Sequence, residues 1–283
     1  MFGFLNVYKP KGKTSHDVVA ILRRVTKIKQ IGHTGTLDPS AEGVLPICIG
    51  KATRLIEYLG DDKAYIGTAQ LGKSTTTYDI EGEGVNFSDK NVTRKELEKA
   101  LESFRGEIEQ LPPIYSAIKV DGKKLYEYAR EGKDVEIKPR RVNIYKLEIL
   151  NFDEKNQTVE LYIECSKGTY IRSIANDLGE KLGTYAHLSK LVRVKAGSFK
   201  LENSIKLENL DSAEKVEEHL ETPLKHLEYP TYELNQEEKE KISHGNPISI
   251  NYSNGNVVLT SNGCISAIAE IHNNLCKCKK VFL

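Results

Sequence analysis

The sequence contains no run of about 18 consecutive apolar residues, the length at which a helix can span a bilayer. The N-terminus also lacks the basic region, long apolar run and cleavage site of a secretory signal. With 283 residues, 39% of them hydrophobic, the chain can nevertheless form a full core, and its length suggests one large domain plus a smaller one. We therefore expect a globular cytoplasmic protein with no membrane partner.

Cysteines are few and scattered. There are five, an odd number, and none of them forms a CxxC pair. Neither a disulfide framework nor a zinc site is supported by this spacing, and reduced, mostly structural thiols are expected. The sequence therefore predicts no metal site.

An excess of one charge is also missing, because the formal net charge is only +1. The charges are unevenly distributed, however, with balances of +6 over residues 1–55, +4 over 117–146 and −7 over 205–240. A polyanion such as RNA could bind the basic segments although the whole protein is close to neutral. Solvated charged faces remain the alternative interpretation of these segments.

Apolar periodicity predicts a mixed α/β protein in which strands outnumber clean βαβ units, which favours a mostly antiparallel central sheet over a doubly wound fold. One helix follows a cap at Thr14 or Ser15, another follows the Thr93 capping box, and a third ends at Gly183. Apolar residues between Val142 and Ile149 alternate in two phases, which indicates a bulge within one long strand. Strands are predicted over residues 2–8, 45–49, 64–71, 159–165, 248–252, 257–260, 265–271 and 280–282. Further helices are predicted over 52–59, 207–220 and 236–243, and residues 73–90 are predicted to be an irregular connection.

The segment from Ile31 to Pro46 combines three glycines and two prolines around one central carboxylate, Asp38. This density of glycine and proline predicts a loop of defined shape, because glycine permits positive φ and Pro39 disfavours the α region at Asp38. From local chemistry alone, an ordinary turn, a phosphate cradle or a helix cap at Asp38 all compete with a catalytic role. The glycine spacing matches neither the Walker motif nor GxGxxG.

The run GHTGTLDPSAEGVLPICIGKATR closely resembles the central motif of the TruB-type tRNA pseudouridine-55 synthases. Four further segments resemble that family in the same order along the chain: Asn6–Pro10 with Gly12, Thr14 and Ser15, then Lys63–Ile66, Pro112–Ala117 and Cys165–Arg172. The resemblance extends over essentially all 283 residues.

This resemblance implies a pseudouridine synthase fold over residues 1–225 and a small β-rich, PUA-like RNA-binding domain over 226–283. It implies isomerisation of a uridine in the T-loop of tRNA, at position 55, to pseudouridine without metal or organic cofactor. The target base would be flipped out of its loop, at a cost of roughly a few kcal/mol. The implied partner is the T-arm of tRNA, bound by a monomer.

By resemblance, Asp38 is the nucleophile and Arg172 the cation that keeps it ionised and oriented, with a two-pronged grip on the carboxylate. Tyr65 would stack on the uracil and take part in proton movement. Tyr170 and, less distinctively, Leu191 would line the pocket, and His33 would contact the T-loop. The Lys9-Pro10 pair is expected to support the pocket floor.

The basic, tyrosine-bearing segment from about residue 112 to 141 suits contacts with phosphates and bases. We expect it to be an RNA-binding arm, with a surface helical hairpin as the alternative. The residues expected to contact the RNA backbone are Lys123, Lys124, Arg140 and Arg141.

Two other functions compete with the synthase. A non-catalytic tRNA-binding or RNA-folding protein could use the same basic surface, but it would gain nothing from a carboxylate, Asp38, in its groove. A carboxylate-based hydrolase would need a second acid at a matching distance, for which Glu42 is the nearest candidate in sequence.

Overall fold

The computed structural model describes all 283 residues. The helices are α1 (Ser15–Thr26), α2 (Arg94–Leu101), α3 (Leu125–Arg130), α4 (Ile171–Leu182), α5 (Ala213–Glu218) and α6 (Gln236–Ser243). The strands are β1 (Gly3–Lys9), β2 (Ile31–His33), β3 (Glu42–Ile49), β4 (Lys63–Leu71), β5 (Lys73–Thr75), β6 (Gly84–Phe87), β7 (Gly106–Gln110), β8 (Lys119–Val120), β9 (Lys123–Lys124), β10 (Arg140–Asp153), β11 (Thr158–Cys165), β12 (Ala186–Ala196), β13 (Phe199–Lys200), β14 (Ile205–Lys206), β15 (Thr231–Glu233), β16 (Ile248–Ser249), β17 (Gly255–Ser261), β18 (Cys264–His272) and β19 (Leu275–Val281). Short 3-10 helices cover Gly50–Tyr58, Glu102–Phe104, Leu201–Asn203, Leu207–Asn209 and Pro223–His226.

A ten-stranded central sheet organises the fold, in the order β14-β1-β3-β12-β4-β11-β10-β7, with β13 on β12 and β2 on β3. All its pairings are antiparallel except those of β1 with β14 and of β3 with β12. The expected mixed α/β fold with a mostly antiparallel central sheet is therefore confirmed.

Helices α1 and α4 lie on the same face of this sheet. Gly43 pairs with Arg193, and Arg193 pairs with Tyr65, so the side chains at these three positions point to one face. On β3, Leu45 shares that face and packs with α1, whereas Tyr65 packs with α4. The segment that joins β2 to β3 consequently lies between the two helices.

Local signals predicted the starts of α1 and α2 and the end of α4. Thr14 caps α1 and forms a capping box with Asp17, and Thr93 does the same for α2. Gly183 ends α4 in the left-handed conformation, where glycine carries no Cβ penalty. Strand β10 is one long strand whose register shifts twice, so the predicted bulge is confirmed.

The prediction of a loop over the whole interval from Ile31 to Pro46 was wrong at both ends. Residues 31–33 form β2, and β3 begins at Glu42, three residues before the predicted strand. Residues 31–33 pair with residues 47–49 of β3, and residues 43–46 pair with β1, so neighbouring strands satisfy their backbone groups despite the glycines and Pro46. The irregular part is limited to residues 34–41, which we call the central loop.

Three other segments also depart from the sequence prediction. Residues 73–90 include a small hairpin of β5 and β6. The acidic segment 207–220 is helical only as a 3-10 turn and the short α5. The basic segment contains a short hairpin, β8 and β9, followed by α3 and an irregular stretch to residue 139.

A second, five-stranded sheet, in the order β15-β17-β18-β19-β16, forms the C-terminal part of the chain. Here α6 has the predicted bounds, but β16 is shorter than expected and β19 begins five residues earlier than the predicted strand at Lys280. The two parts share an apolar cluster that includes Phe4 and Phe282. The predicted domain boundary between 225 and 226 falls between β14 and β15 and remains a prediction. None of the helices combines the length and apolar character needed to cross a membrane.

Candidate active site

The central loop is held by hydrogen bonds from the end of β1, from the turn that follows it and from the first residue of α1. The Ser15 hydroxyl accepts from the Leu37 backbone N–H at 2.8 Å and donates to the Leu37 carbonyl at 3.1 Å. The Gly12 N–H donates to the Pro39 carbonyl at 2.8 Å, and the Lys9 ammonium reaches the same carbonyl at 3.5 Å. The two residues that flank Asp38 are thus fixed by hydrogen bonds.

Lys9 is fully buried, and its ammonium donates mainly to the carbonyls of Lys13 at 2.6 Å and Pro10 at 3.0 Å. Burial lowers its pKa to about 8, against the opposing effect of Asp38. This position agrees with the expected support of the pocket floor.

Arg193, on β12, holds the other side of the loop, and sequence reasoning gave it no role. It is 1% exposed and donates from Nε to the Val44 carbonyl at 2.6 Å, from Nη1 to Thr36 at 3.2 Å and from Nη2 to Gly35 at 3.2 Å. Its backbone also runs so close to Gly43 that a Cβ there would lie 2.3 Å from the Arg193 carbonyl oxygen. The only feature of the sequence that could have indicated this role is that Arg193 is a charged residue between apolar ones.

Arg172, in the first turn of α4, faces Asp38 with its Nε 3.0 Å from Oδ2. Its Nη1 donates to the Thr77 carbonyl and its Nη2 to the Tyr115 carbonyl, both at 3.1 Å. The expected two-pronged grip on the carboxylate is therefore wrong, because two of the three guanidinium nitrogens bind backbone oxygens. Those bonds fix the guanidinium plane and leave one nitrogen for Asp38.

A second carboxylate, Asp79, lies 3.8 Å from the Arg172 Nε and is 7% exposed. Its other oxygen accepts from the Thr77 hydroxyl at 2.6 Å and from the Glu81 N–H at 3.1 Å. Sequence reasoning missed Asp79 because it lies in the segment predicted to be an irregular connection. No local signal separates it from the acids that commonly occupy turns.

A cavity of about 240 Å³ opens beside the Asp38–Arg172 pair. It brings together five of the residues expected in the pocket. Its lining comprises Gly35, Thr36, Leu37, Asp38, Lys63, Tyr65, Ser116, Ala117, Gly168, Thr169, Tyr170, Ile171, Arg172 and Leu191. The cavity thus combines an acid, cations, aromatic rings and apolar side chains, a composition suited to a flat polar base.

Tyr65 and Tyr170 reach the cavity from different elements. Burial raises the pKa of Tyr65 to about 12, with Arg193 acting in the opposite direction, so its hydroxyl is protonated at neutral pH. Tyr170 precedes α4, and its backbone is bracketed by the buried amide of Gln110, which accepts from the Tyr170 N–H at 2.8 Å and donates to its carbonyl at 3.0 Å.

Lys63 also lines the cavity but had been given no role from the sequence. It lies two residues before Tyr65 on β4, and burial lowers the pKa of its ammonium. The motif that contains it was recognised, but the direction of the side chain follows only from the sheet.

His33 does not line the cavity. It lies at the end of β2, where its Nδ1 is buried without a hydrogen-bond partner. Burial lowers its pKa, and Arg193 and His16 act in the same direction, which favours the neutral ring. Glu42 is also absent from the cavity wall, so the structure offers no second acid facing Asp38 across the cavity.

The four residues expected to contact RNA phosphates lie together on the basic segment, but their charges are not equally available. Lys123 is paired with Glu131, and Arg141 lies 3.6 Å from Glu107 and 3.9 Å from Glu109. Lys124 donates to the Tyr126 hydroxyl at 3.3 Å. Arg140 is exposed and has no carboxylate within 4.0 Å.

No group of three or more His, Cys, Asp or Glu side chains is placed so as to hold a metal ion.

Comparison with known proteins gives consistent results. Residues 23–171 match the family model of the TruB family pseudouridylate synthase N-terminal domain, and residues 172–232 match that of the tRNA pseudouridylate synthase B C-terminal domain. The chain is 47% identical over 260 residues to tRNA pseudouridine synthase B of Geobacillus kaustophilus (strain HTA426), which covers 87% of this chain and 90% of that protein. It is 48% identical over 236 residues to tRNA pseudouridine synthase B of Staphylococcus aureus (strain Newman), covering 80% of this chain and 76% of that protein.

Among solved structures, the fold is similar to a chain in the crystal structure of a Cbf5-Nop10-Gar1 complex, with a TM-score of 0.76 and 25% identity over 100% of this chain and 85% of that chain. A chain of the archaeal box H/ACA sRNP Nop10-Cbf5 complex matches with a TM-score of 0.73 and 23% identity over 100% of this chain and 86% of that chain. The second likeness concerns the fold alone.

Proposed function

The chain belongs to the TruB family of pseudouridylate synthases, which are isomerases, and we propose that it converts the uridine at position 55 in the T-loop of tRNA to pseudouridine, with Asp38 as nucleophile. The observation that carries this proposal is the cavity wall, where the Asp38 carboxylate lies 3.0 Å from a buried arginine and shares the cavity with Tyr65. Named relatives that act on tRNA support the RNA class of the substrate.

The reaction breaks the bond between ribose C1′ and uracil N1 and forms a bond between C1′ and uracil C5. The C5 hydrogen leaves as a proton and N1 gains one, so the product is an isomer. A carboxylate can attack as the nucleophile and later leave, and the Arg172 Nε, 3.0 Å from Oδ2, holds the Asp38 carboxylate in its orientation. The Thr77 and Tyr115 carbonyls keep the guanidinium from turning away.

We assign to Tyr65 the stacking on the detached uracil and a part in moving its proton. Tyr65 lines the cavity that contains Asp38 and belongs to the apolar core, and its raised pKa keeps the hydroxyl protonated. Tyr170 and Leu191 complete the walls, which restricts the base to a narrow set of orientations while it turns.

The base must leave its stack to enter a cavity of this kind, so we propose that it is flipped. His33 then contacts the T-loop, and Lys123, Lys124, Arg140 and Arg141 hold the backbone. We propose that the protein acts on the T-arm as a monomer.

The direct test is pseudouridine formation on a T-loop hairpin of tRNA sequence, compared with a hairpin that has cytidine at the target position. Modification of the uridine hairpin alone is expected. Tight binding without modification would instead indicate the non-catalytic RNA-binding function.

A further inference from the structure

Six exposed cations surround helix α1. They share two properties, in that all are exposed and none has a carboxylate oxygen within 4.0 Å. We call them the α1 basic face: Lys11, Lys13, Arg23, Arg24, Lys27 and Lys29. The one acid within this stretch, Asp17, is occupied as the capping partner of Thr14.

In the basic segment, by contrast, several cations already have carboxylate partners. Glu131 binds Lys123 and also Lys133, the latter at 3.0 Å, and Arg141 lies beside two glutamates on β7. A cation that already has a carboxylate partner gains less from a phosphate, because that partner must be displaced or remains as a repulsive charge. The α1 basic face has no such cost, so each of its charges is available to a polyanion.

The α1 basic face continues from the candidate active site. Helix α1 flanks the central loop on the same face of the sheet as α4, and Ser15 at its start holds Leu37. Further along, Arg23 donates to the Ile31 carbonyl at 2.8 Å, and His16 is close enough to help lower the pKa of His33. A helix of 12 residues is about 18 Å long, so the cations extend well away from the cavity.

Acidic helix α5 packs along the other flank of α1. Its carboxylates stay more than 4.0 Å from all six cations. It therefore borders the α1 basic face on one side without neutralising its charges.

We propose that the α1 basic face binds the phosphate backbone of the duplex stem that carries the target loop, an inference that rests on the proposed function. A stem whose loop enters the cavity must emerge beside it, and α1 is one of the two helices between which the central loop lies. Duplex phosphates supply closely spaced negative charge along that path. An acidic protein would satisfy the same charges, but only RNA is brought there by the cavity itself.

The test crosses a protein change with a change in the RNA. The triple variant Arg24→Gln/Lys27→Gln/Lys29→Gln removes three exposed cations whose side chains make no hydrogen bond within the protein. The matched control, Lys95→Gln/Lys99→Gln/Lys155→Gln, removes the same charge from exposed lysines that also have no carboxylate within 4.0 Å. Two hairpins share one loop, and one has a short stem while the other is longer by about one helical turn.

For the long hairpin, the triple variant is expected to weaken binding about tenfold or more at 0.1 M salt and to reduce the slope of log K against log salt by about 2 to 3, near 0.9 per lost phosphate contact. For the short hairpin, binding should stay within about twofold of wild type. The control variant should match wild type on both hairpins, and circular dichroism verifies that all three proteins are folded.

The proposal would be overturned if the triple variant lost equal affinity for both hairpins, or if the control variant lost as much affinity for the long hairpin. Pseudouridine formation by the wild-type protein is measured separately on the long hairpin. If wild type binds both hairpins but forms no pseudouridine, the proposed function fails, while the dependence of binding on stem length still decides the role of the α1 basic face.

Discussion

Replacing Asp38 by asparagine removes the proposed nucleophile while keeping the size and shape of the side chain. The loop should survive, because Leu37 and Pro39 are held by hydrogen bonds that do not involve the carboxylate. Arg172 loses its nearest charge partner but keeps the Thr77 and Tyr115 carbonyls. We therefore expect a folded protein that binds T-loop RNA at near wild-type strength and forms no detectable pseudouridine.

The cost in stability follows from the surroundings of the pair. Removing one partner of a buried ion pair costs about 3–5 kcal/mol, and an exposed pair contributes about 0–1 kcal/mol. The Asp38 side chain is 37% exposed, the Arg172 side chain is 6% exposed, and Asp79 remains 3.8 Å from the guanidinium. We expect a loss of about 1–2 kcal/mol, which for a chain of this size lowers Tm by about 2–3 °C.

Asp79→Asn supplies the control. Either single variant leaves Arg172 one nearby carboxylate, whereas the double variant leaves its buried charge with none. The double variant should therefore lose more stability than the two single variants together, by about 1 kcal/mol or more. Additive losses would show that the two carboxylates do not share the arginine.

Activity is best followed by the release of tritium from C5 of labelled uridine in tRNA, since that hydrogen leaves when the carbon bond forms. Mass spectrometry must verify that the introduced asparagine has not deamidated back to aspartate. Tritium release by the verified asparagine protein would refute the nucleophile assignment and the mechanism built on it.

Tyr65→Phe should keep RNA binding but lose most turnover, because the ring still stacks while the hydroxyl is gone; turnover near wild type would remove the hydroxyl from the mechanism. Arg172→Lys should lower kcat about 100-fold, because the single nitrogen of an ammonium cannot reach Asp38 and the two carbonyls that three separate guanidinium nitrogens contact. A fully active lysine enzyme would show that charge alone suffices. Burial lowers the Lys9 pKa to about 8 from 10.5, so between these values the unfolded chain binds more protons and this lysine makes stability rise with pH. In urea unfolding from pH 8 to 10, the free energy of unfolding of Lys9→Met should rise less with pH than that of the wild-type protein. The same slope of stability against pH in both proteins would contradict the assignment to Lys9. The last prediction concerns the four cations expected to contact the RNA backbone, Lys123, Lys124, Arg140 and Arg141. Neutralising them together should weaken tRNA binding and flatten its salt dependence, while the chemical step on bound RNA stays nearly intact. An unchanged slope of log K against log salt would place the RNA path elsewhere.

The sequence alone determined those features that depend on neighbouring residues. Capping boxes at Thr14 and Thr93 and the stop at Gly183 fix helix ends through contacts a few residues apart. Alternation along β10 revealed its bulge. The cluster around Asp38 indicated a shaped loop, and its resemblance to a known motif indicated the nucleophile.

Tertiary structure decided how that loop is held and which groups face Asp38. Pairing of β2 with β3 shortened the irregular segment, because strand partners can satisfy backbone groups that local composition assigns to a loop. Asp79 joined Arg172 from a distant hairpin, and Arg193 bound three carbonyls of the loop region. Every residue carries such a carbonyl, so a side chain that binds backbone oxygens leaves no partner residue to recognise in the sequence, and only the folded chain identifies the contact.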